Sequence, residues 1–232
     1  MKVTFLAHSG FLVELGSVSL LFDYLGDGLP PLSDQPLLVF ASHRHQDHFV
    51  PGVFSLPASA FLLGKDILLN AHRMEKWGVS PATAEKCRTL GDYETVSPLL
   101  GVTVETLPST DEGAAFIVTA EGQTIFHAGD LNWWHWEGEP KDWNRNMEVN
   151  FKRYCEPLRG RRLDLAMLPL DPRQDRDGFR GAKYFLETAD IRRFLPMHQW
   201  EKFDFTDDFL AAYPAFAAVT HKVTANGQVF EF

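Results

Sequence analysis

The chain reads as an α+β protein with a sheet-on-sheet core and helices outside it. Three observations carry that prediction. Short apolar or alternating runs fill the first third and return in the middle. Amphipathic helical stretches punctuate these strand-rich blocks, and one run, Leu37 to Ala41, is apolar throughout. Alternation suits a strand with one face in the core, whereas an unbroken apolar run suits a strand buried on both faces.

Taken in order, Val3 to Ala7, Phe11 to Leu15 and Val18 to Asp23 are separated by Ser9-Gly10 and Gly16-Ser17. These predict successive antiparallel strands with tight turns. A Gly- and Pro-rich loop from Gly26 to Pro36 precedes the buried strand Leu37 to Ala41, which leads directly into His43. Helical spacing from Asp66 to Trp77 places Ile67, Ala71 and Met74 on one face, with Gly78 as a stop. Strands follow at Val102 to Leu107, Ala114 to Ala120 and Gln123 to His127, the last two joined by a Glu121-Gly122 hairpin turn. A second helix spans Asp142 to Cys155, with Trp143, Met147, Phe151 and Tyr154 on one stripe and Trp143 assigned to the core. Leu163 to Leu168 and Arg193 to Met197 read as strands, with a short helix near Ala182 to Thr188 between them. Thr206 is the expected N-cap of a helix ending near Tyr213, before Pro214. Val223 to Ala225 and Gln228 to Phe230 flank Asn226-Gly227 as a final hairpin. No repeat, low-complexity segment or long linker divides the chain, so residues 1–232 are expected to form a single domain.

Composition excludes several classes. Lys and Arg number 22 against 31 Asp and Glu, a formal net charge of -9 that disfavours wrapping a nucleic-acid backbone. The basic cluster Arg159, Arg161 and Arg162 reads as a solvated loop. Two cysteines, Cys87 and Cys155, make neither a disulfide framework nor a Cys-x-x-Cys metal pair. The first residues alternate like a strand and show no cleavage site, and no apolar run has the length to span a bilayer. The expectation is a soluble, cytoplasmic protein acting on a small molecule, with a homo-oligomer plausible if tryptophans are exposed.

The chemistry concentrates in Ser42-His43-Arg44-His45-Gln46-Asp47-His48. Three imidazoles and a carboxylate follow a buried strand directly, and such donors suit Zn²⁺, Mn²⁺ or Fe²⁺. Residues two apart in extended chain project to the same side, so His43 and His45 can reach one ion together. A turn after them aims Asp47 and His48 at a neighbouring point.

This motif resembles the signature of the metallo-β-lactamase superfamily, and its surroundings arrive in the family's order from about residue 3 to 200. Asp23 is similar to the family's early aspartate, which supports the motif loop. His127-Ala128-Gly129-Asp130 resembles its strand-ending Gly-Asp, whose carboxylate bridges two metals, and His198 matches the last family histidine. The opening His8-Ser9-Gly10-Phe11, through Glu14 to Phe22-Asp23, is similar to the branch typified by ascorbate phosphate lactonases. The resemblance implies a four-layer αββα sandwich with the site at one edge between the sheets. It also implies metal ligation by His43, His45, Asp47, His48, Asp130 and His198.

One departure stands out. The family places a further histidine after a strand such as Val102 to Leu107, where this chain reads Leu107-Pro108-Ser109-Thr110-Asp111-Glu112-Gly113. Ser109 is a poor ligand unless deprotonated, and Asp111 substitutes only if the loop turns inward. The expectation is therefore one well-held ion, zinc first with manganese or iron as alternatives, and a second that is weak, absent or differently coordinated. His8 is open between packing, substrate contact and support of the site. Trp133 and Trp134, within Leu131-Asn132-Trp133-Trp134-His135-Trp136, are candidates to wall a substrate pocket or to plug the core. The implied activity is hydrolysis of a small ester, lactone or phosphoester by metal-activated water, with Asp47 orienting the water or moving its proton and His198 steadying the developing oxyanion. The alternative is a catalytically weak binding or regulatory member of the same fold.

Overall fold

A computed structural model describes all residues from Met1 to Phe232. The first sheet is built from Lys2–Ala7 (β1), Gly10–Glu14 (β2), Ser19–Phe22 (β3), Leu37–Ala41 (β4), Ala60–Gly64 (β5) and Cys87–Leu90 (β6). Thr95–Leu99 (β7), Val102–Pro108 (β8), Ala114–Ala120 (β9) and Gln123–His127 (β10) start the second sheet. Arg162–Leu163 (β11), Leu165–Pro169 (β12), Asp190–Ile191 (β13), Phe194–Met197 (β14) and Val229–Glu231 (β15) complete the set. The first sheet has the order β15-β1-β2-β3-β4-β5-β6 and the second β14-β12-β10-β9-β8-β7, while β11 and β13 pair separately. β1, β2 and β3 are antiparallel neighbours, and β3 to β6 run parallel.

Side-chain alternation stacks the two sheets. Val3, Phe5, Phe11, Val13, Leu20, Phe22, Leu38 and Phe40 point into the core shared with the second sheet. Their neighbours Leu6, Leu12, Leu21, Val39 and Phe61 face the opposite way, into a smaller cluster. That outer cluster is covered by Phe49, by Phe54 and by the helix Ala71–Trp77 (α1), whose Trp77 ring lies 5.4 Å from Phe49. β4 is buried on both faces, as its unbroken apolar run predicts.

Pro81–Ala84 forms the short α2. The far side of the second sheet carries Lys141–Cys155 (α3) and Phe179–Thr188 (α4), which bury Phe151 and Phe185. Asp142 in the first turn of α3 and Lys152 and Arg153 in its last turn complement the helix dipole. The last helix is Phe205–Ala212 (α5). Helix, sheet, sheet and helix layers make the four-layer αββα sandwich that the resemblance implies.

Several boundaries differ from the sequence reading. Helix α1 begins at Ala71 rather than Asp66, because Asn70 caps it by accepting from the Arg73 amide. Ile67 stays buried but outside the helix, and Asp66 is engaged by the Arg44 amide. Thr206 does not cap α5; it sits in the first turn, where its hydroxyl accepts from the Gln199 amide. The terminal hairpin is absent, since β15 pairs antiparallel with β1 and satisfies its backbone there. Glu121-Gly122 forms its hairpin turn with both residues at positive φ, 52° and 73°. The basic cluster is ion-paired, Arg159 with Glu156, Arg161 with Glu105 and Arg162 with Asp164. No helix is long and apolar enough to cross a membrane.

Candidate metal centre

Seven strands end at one edge of the sandwich, and each delivers a polar side chain there. His8 follows β1, Asp23 follows β3, and the His43–His48 loop follows β4. Asp111, Asp130, Asp171 and His198 lie just beyond β8, β10, β12 and β14. Grouping polar residues beyond carboxyl strand ends spares the apolar core from burying them. The backbone is held in an unusual state for this purpose, because His8, Asp23 and His198 have φ of 52°, 42° and 61°. The amide of His198 donates to the His8 carbonyl at 3.0 Å, which ties the two sheets together at the site.

Two donor groups form. One contains His43, His45, Asp111 and Asp130; the other contains His8, Asp47, His48 and His198. In the first, His43 Nε2 lies 3.1 Å from His45 Nδ1 and 3.8 Å from both Asp111 Oδ2 and Asp130 Oδ2. In the second, His8 Nε2 lies 3.4 Å from Asp47 Oδ2, and His198 Nε2 lies 4.0 Å from the same oxygen. Asp130 divides its carboxylate between the groups, with Oδ1 3.2 Å from His48 Nε2 and 3.5 Å from His198 Nε2. Donors about 2.1 Å from a tetrahedral ion lie about 3.4 Å apart, the spacing found here.

Three imidazoles are oriented from behind. The Ser42 hydroxyl donates its one proton to Asp23 Oδ2 at 2.6 Å, so His43 Nδ1 donates to Ser42 Oγ at 2.9 Å. His48 Nδ1 donates to Asp23 Oδ2 at 2.7 Å and His198 Nδ1 to Asp171 Oδ2 at 3.0 Å. Each Nε2 is thereby left with its lone pair facing the centre, the arrangement a metal-binding histidine needs. Buried His8 Nε2, His48 Nε2, His198 Nε2 and Asp130 Oδ1 have no hydrogen-bond partner. Orphaned polar atoms cost about 1–3 kcal/mol each, and a divalent cation would satisfy all four together. The residues fit a metal.

The electrostatics agree with that fit. Burial lowers the His43 pKa to about 4, which keeps the ring neutral. Burial opposes charge on His48 as well, but the carboxylates of Asp130 and Asp23 raise its pKa well above the ordinary value. The same negative field is available to a cation. Burial also works against ionised Asp130, yet His48 and His198 hold its carboxyl well below the usual range. The His8 imidazole holds Asp47 well below that range too.

The loop after β8 turns inward. Asp111 Oδ2 reaches within 3.2 Å of His45 Nδ1. Ser109 supports it by accepting the Asp111 amide on its hydroxyl at 3.1 Å, and joins neither donor group. Arg44, within the motif, grips the neighbouring Glu112 through two hydrogen bonds of 2.6 and 2.8 Å.

A cavity of about 470 Å³ opens over both groups, and Trp134, Trp136, Trp143 and Met147 also line it. The position of Trp143 corrects its assignment to the core: it is half-buried because α3 turns it to the cavity mouth. Trp133 does not wall the cavity. It packs 6.2 Å from Phe151, with the Lys152 ammonium 4.5 Å over its ring. The reason is local geometry, since in extended chain neighbouring side chains point to opposite sides. Asp171 escaped the sequence reading, although an acid just after the apolar run Leu165–Pro169 follows the same strand-end rule as Asp23.

A family model described as Beta-lactamase superfamily domain matches residues 2–136, more than half of the chain. The chain belongs to this superfamily. The matched stretch contains the motif loop, Asp111 and Asp130, while Asp171 and His198 lie beyond it. Among curated relatives, the UPF0173 metal-dependent hydrolase of Opitutus terrae is 29% identical over 154 residues, covering 56% of this chain and 63% of that protein. That match thus spans less than two thirds of the Opitutus protein. The UPF0173 metal-dependent hydrolase of Pyrococcus furiosus is 27% identical over 207 residues, covering 85% and 84%. Among solved structures, Igni18, described as a novel metallo hydrolase from Ignicoccus hospitalis, superposes with a TM-score of 0.65 at 17% identity. It covers 100% of this chain and 98% of that one, a likeness of fold.

Proposed function

We propose that this superfamily member is a metal-dependent hydrolase acting on a small ester, lactone or phosphoester. The observation that carries the reading is the divided Asp130 carboxylate, one oxygen turned to each donor group beneath an open cavity. The names of the curated relatives support it. His43, His45 and Asp111 would hold one ion, and His48, His198 and Asp47 with His8 a second, with Asp130 shared. Zinc is the first choice for such nitrogen and oxygen donors, with manganese and iron as alternatives.

A bound divalent ion supplies a lowered water pKa and polarises the substrate oxygen. The protein's own residues do the rest. Asp47 lines the cavity as an ionised carboxylate, placed to orient a water by accepting its hydrogen bond; its lowered pKa makes it a weak proton acceptor. His198 lines it beside Asp47, and with Nδ1 donating to Asp171 it offers its Nε2 lone pair to the second donor group. Trp134, whose indole donates to the Asp130 carbonyl at 3.0 Å, closes the wall next to His198 and excludes water from that side. The opening motif's likeness to ascorbate phosphate lactonases makes lactones a natural class to assay.

Elemental mass spectrometry of protein purified without chelator tests the reading. One to two equivalents of Zn, Mn or Fe per chain are expected, lost together with turnover in Asp130→Ala. Turnover persisting in metal-free Asp130→Ala would sink it.

A further inference from the structure

The cavity narrows the substrate class. Its lining combines the reactive donors with four apolar side chains, Trp134, Trp136, Trp143 and Met147. Trp134 and Trp136 lie parallel, with centroids 6.1 Å apart and planes within 4°. Trp134 is buried and the Arg173 guanidinium lies 5.6 Å over the Trp136 ring, so the half-buried Trp143 and Met147 present the apolar, polarisable surface suited to a planar group.

Charge on the same lining points the same way. Arg173 is the only Lys or Arg among the lining residues, and its charge is paired with Asp171 through Nε and Nη2. Its Nε lies 3.0 Å from both Asp171 oxygens and its Nη2 also bonds Asp171 Oδ2. Its guanidinium further stacks 4.5 Å over the Trp200 ring. The Thr110 hydroxyl is spent as well, donating to the Asn132 carbonyl at 2.7 Å and accepting its amide at 3.0 Å. Beyond the oxygens that bound ions would meet, a phosphomonoester or sugar phosphate is held best where free guanidinium, ammonium or amide donors meet the rest of its dianion. The lining offers no free cation beyond the metal-facing side chains.

We infer that the preferred substrate is an uncharged ester or lactone carrying a flat apolar or aromatic group, which lies against Trp143 and Met147. This rests on the hydrolase reading above and selects among its substrate classes. Arg173 acts here as a positioning residue, bracing the Asp171 carboxylate that orients His198.

The test compares 2-naphthyl acetate, trifluoroethyl acetate and 4-nitrophenyl phosphate with zinc-loaded protein, alongside calorimetric titration with 2-naphthol. The expected result is a higher kcat/KM for 2-naphthyl acetate than for the phosphate. Trp143→Ala should lower it at least tenfold, mostly through KM, with trifluoroethyl acetate changed less than twofold. Met147→Ala is a second variant should the first fold poorly, and 2-naphthol affinity should fall in parallel. Preference for the phosphate, or equal loss on both esters, overturns the inference while leaving hydrolysis standing. Binding of 2-naphthol that weakens in Trp143→Ala, with no turnover of any substrate, overturns the hydrolase reading and supports the apolar wall. Absence of 2-naphthol binding overturns the wall itself.

Discussion

At the residue scale, the donors are held as much by what stands behind them as by their own positions. Ser42 and Asp23 fix the rings of His43 and His48, and Asp171 fixes His198. Burial penalises the Asp171 charge, but His198 and Arg173 keep its carboxyl below the ordinary range. Removing it would free the His198 ring to turn and lose the tautomer that presents Nε2. Asp171→Ala is therefore expected to weaken metal affinity about 10- to 100-fold. A chelator competition titration measures this directly, and unchanged affinity would show that packing alone holds the ring.

At the element scale, the motif loop depends on close backbone contact. Gly113 has φ of 69°, and a Cβ there would overlap the Ser42 carbonyl oxygen and crowd His43 Cβ at 2.6 Å. The Ser42 carbonyl accepts the Ala114 amide at 3.0 Å, so this contact joins the motif loop to the start of β9. Gly113→Ala should cost more than about 2 kcal/mol, from left-handed backbone strain and overpacking together. It should also release metal. The cap of α1 makes a useful contrast, since its helix covers the outer core far from the donors. Asn70→Ala should lower stability by about 1 kcal/mol in urea unfolding while metal content stays unchanged. A metal loss there would mean that α1 and the motif loop are coupled.

For the whole molecule, two layers of core bury the sulfurs unequally. Burial raises the Cys87 pKa from 9.0 to about 11 and places Cys155, fully inside, well above its ordinary value. Both thiols are thus protonated in the folded state at a pH where the unfolded chain has begun to ionise. The unfolded state then holds fewer protons, so stability falls as pH rises through 9 towards 11 and is complete below that window. Alkylation of native protein at pH 8 should be slow at both thiols and complete on unfolding. Rapid native labelling of Cys155 would show that α3 opens readily, because Cys155 ends that helix.

The sequence by itself determined the local and periodic features. The short apolar or alternating runs Val3 to Ala7 and Phe11 to Leu15 dictate strands, and the unbroken Leu37 to Ala41 dictates one buried on both faces; the structure buries both faces of β1 and β2 as well. Glu121-Gly122 turns its hairpin through Gly122, which takes positive φ without penalty, while Glu121 is held at positive φ with its carboxylate accepting from the Gly16 and Ser17 amides. The donors packed into His43–His48 were legible because they are close in sequence and rare in kind. Tertiary structure alone decided what depends on distant strand ends meeting. Asp111 reaches His45 only because β8 and β4 finish at the same edge of different sheets, and spacing cannot express that contact. Asp171 stands behind His198 because β12 and β14 are parallel neighbours in one sheet. The wall divides likewise: Trp133 and Trp134 adjoin in the chain, yet one packs on α3 while the other faces the cavity. Local pattern specifies which way a backbone runs, but only the closed sandwich specifies which polar ends share a single desolvated space, where their unmet charges and lone pairs must be satisfied together.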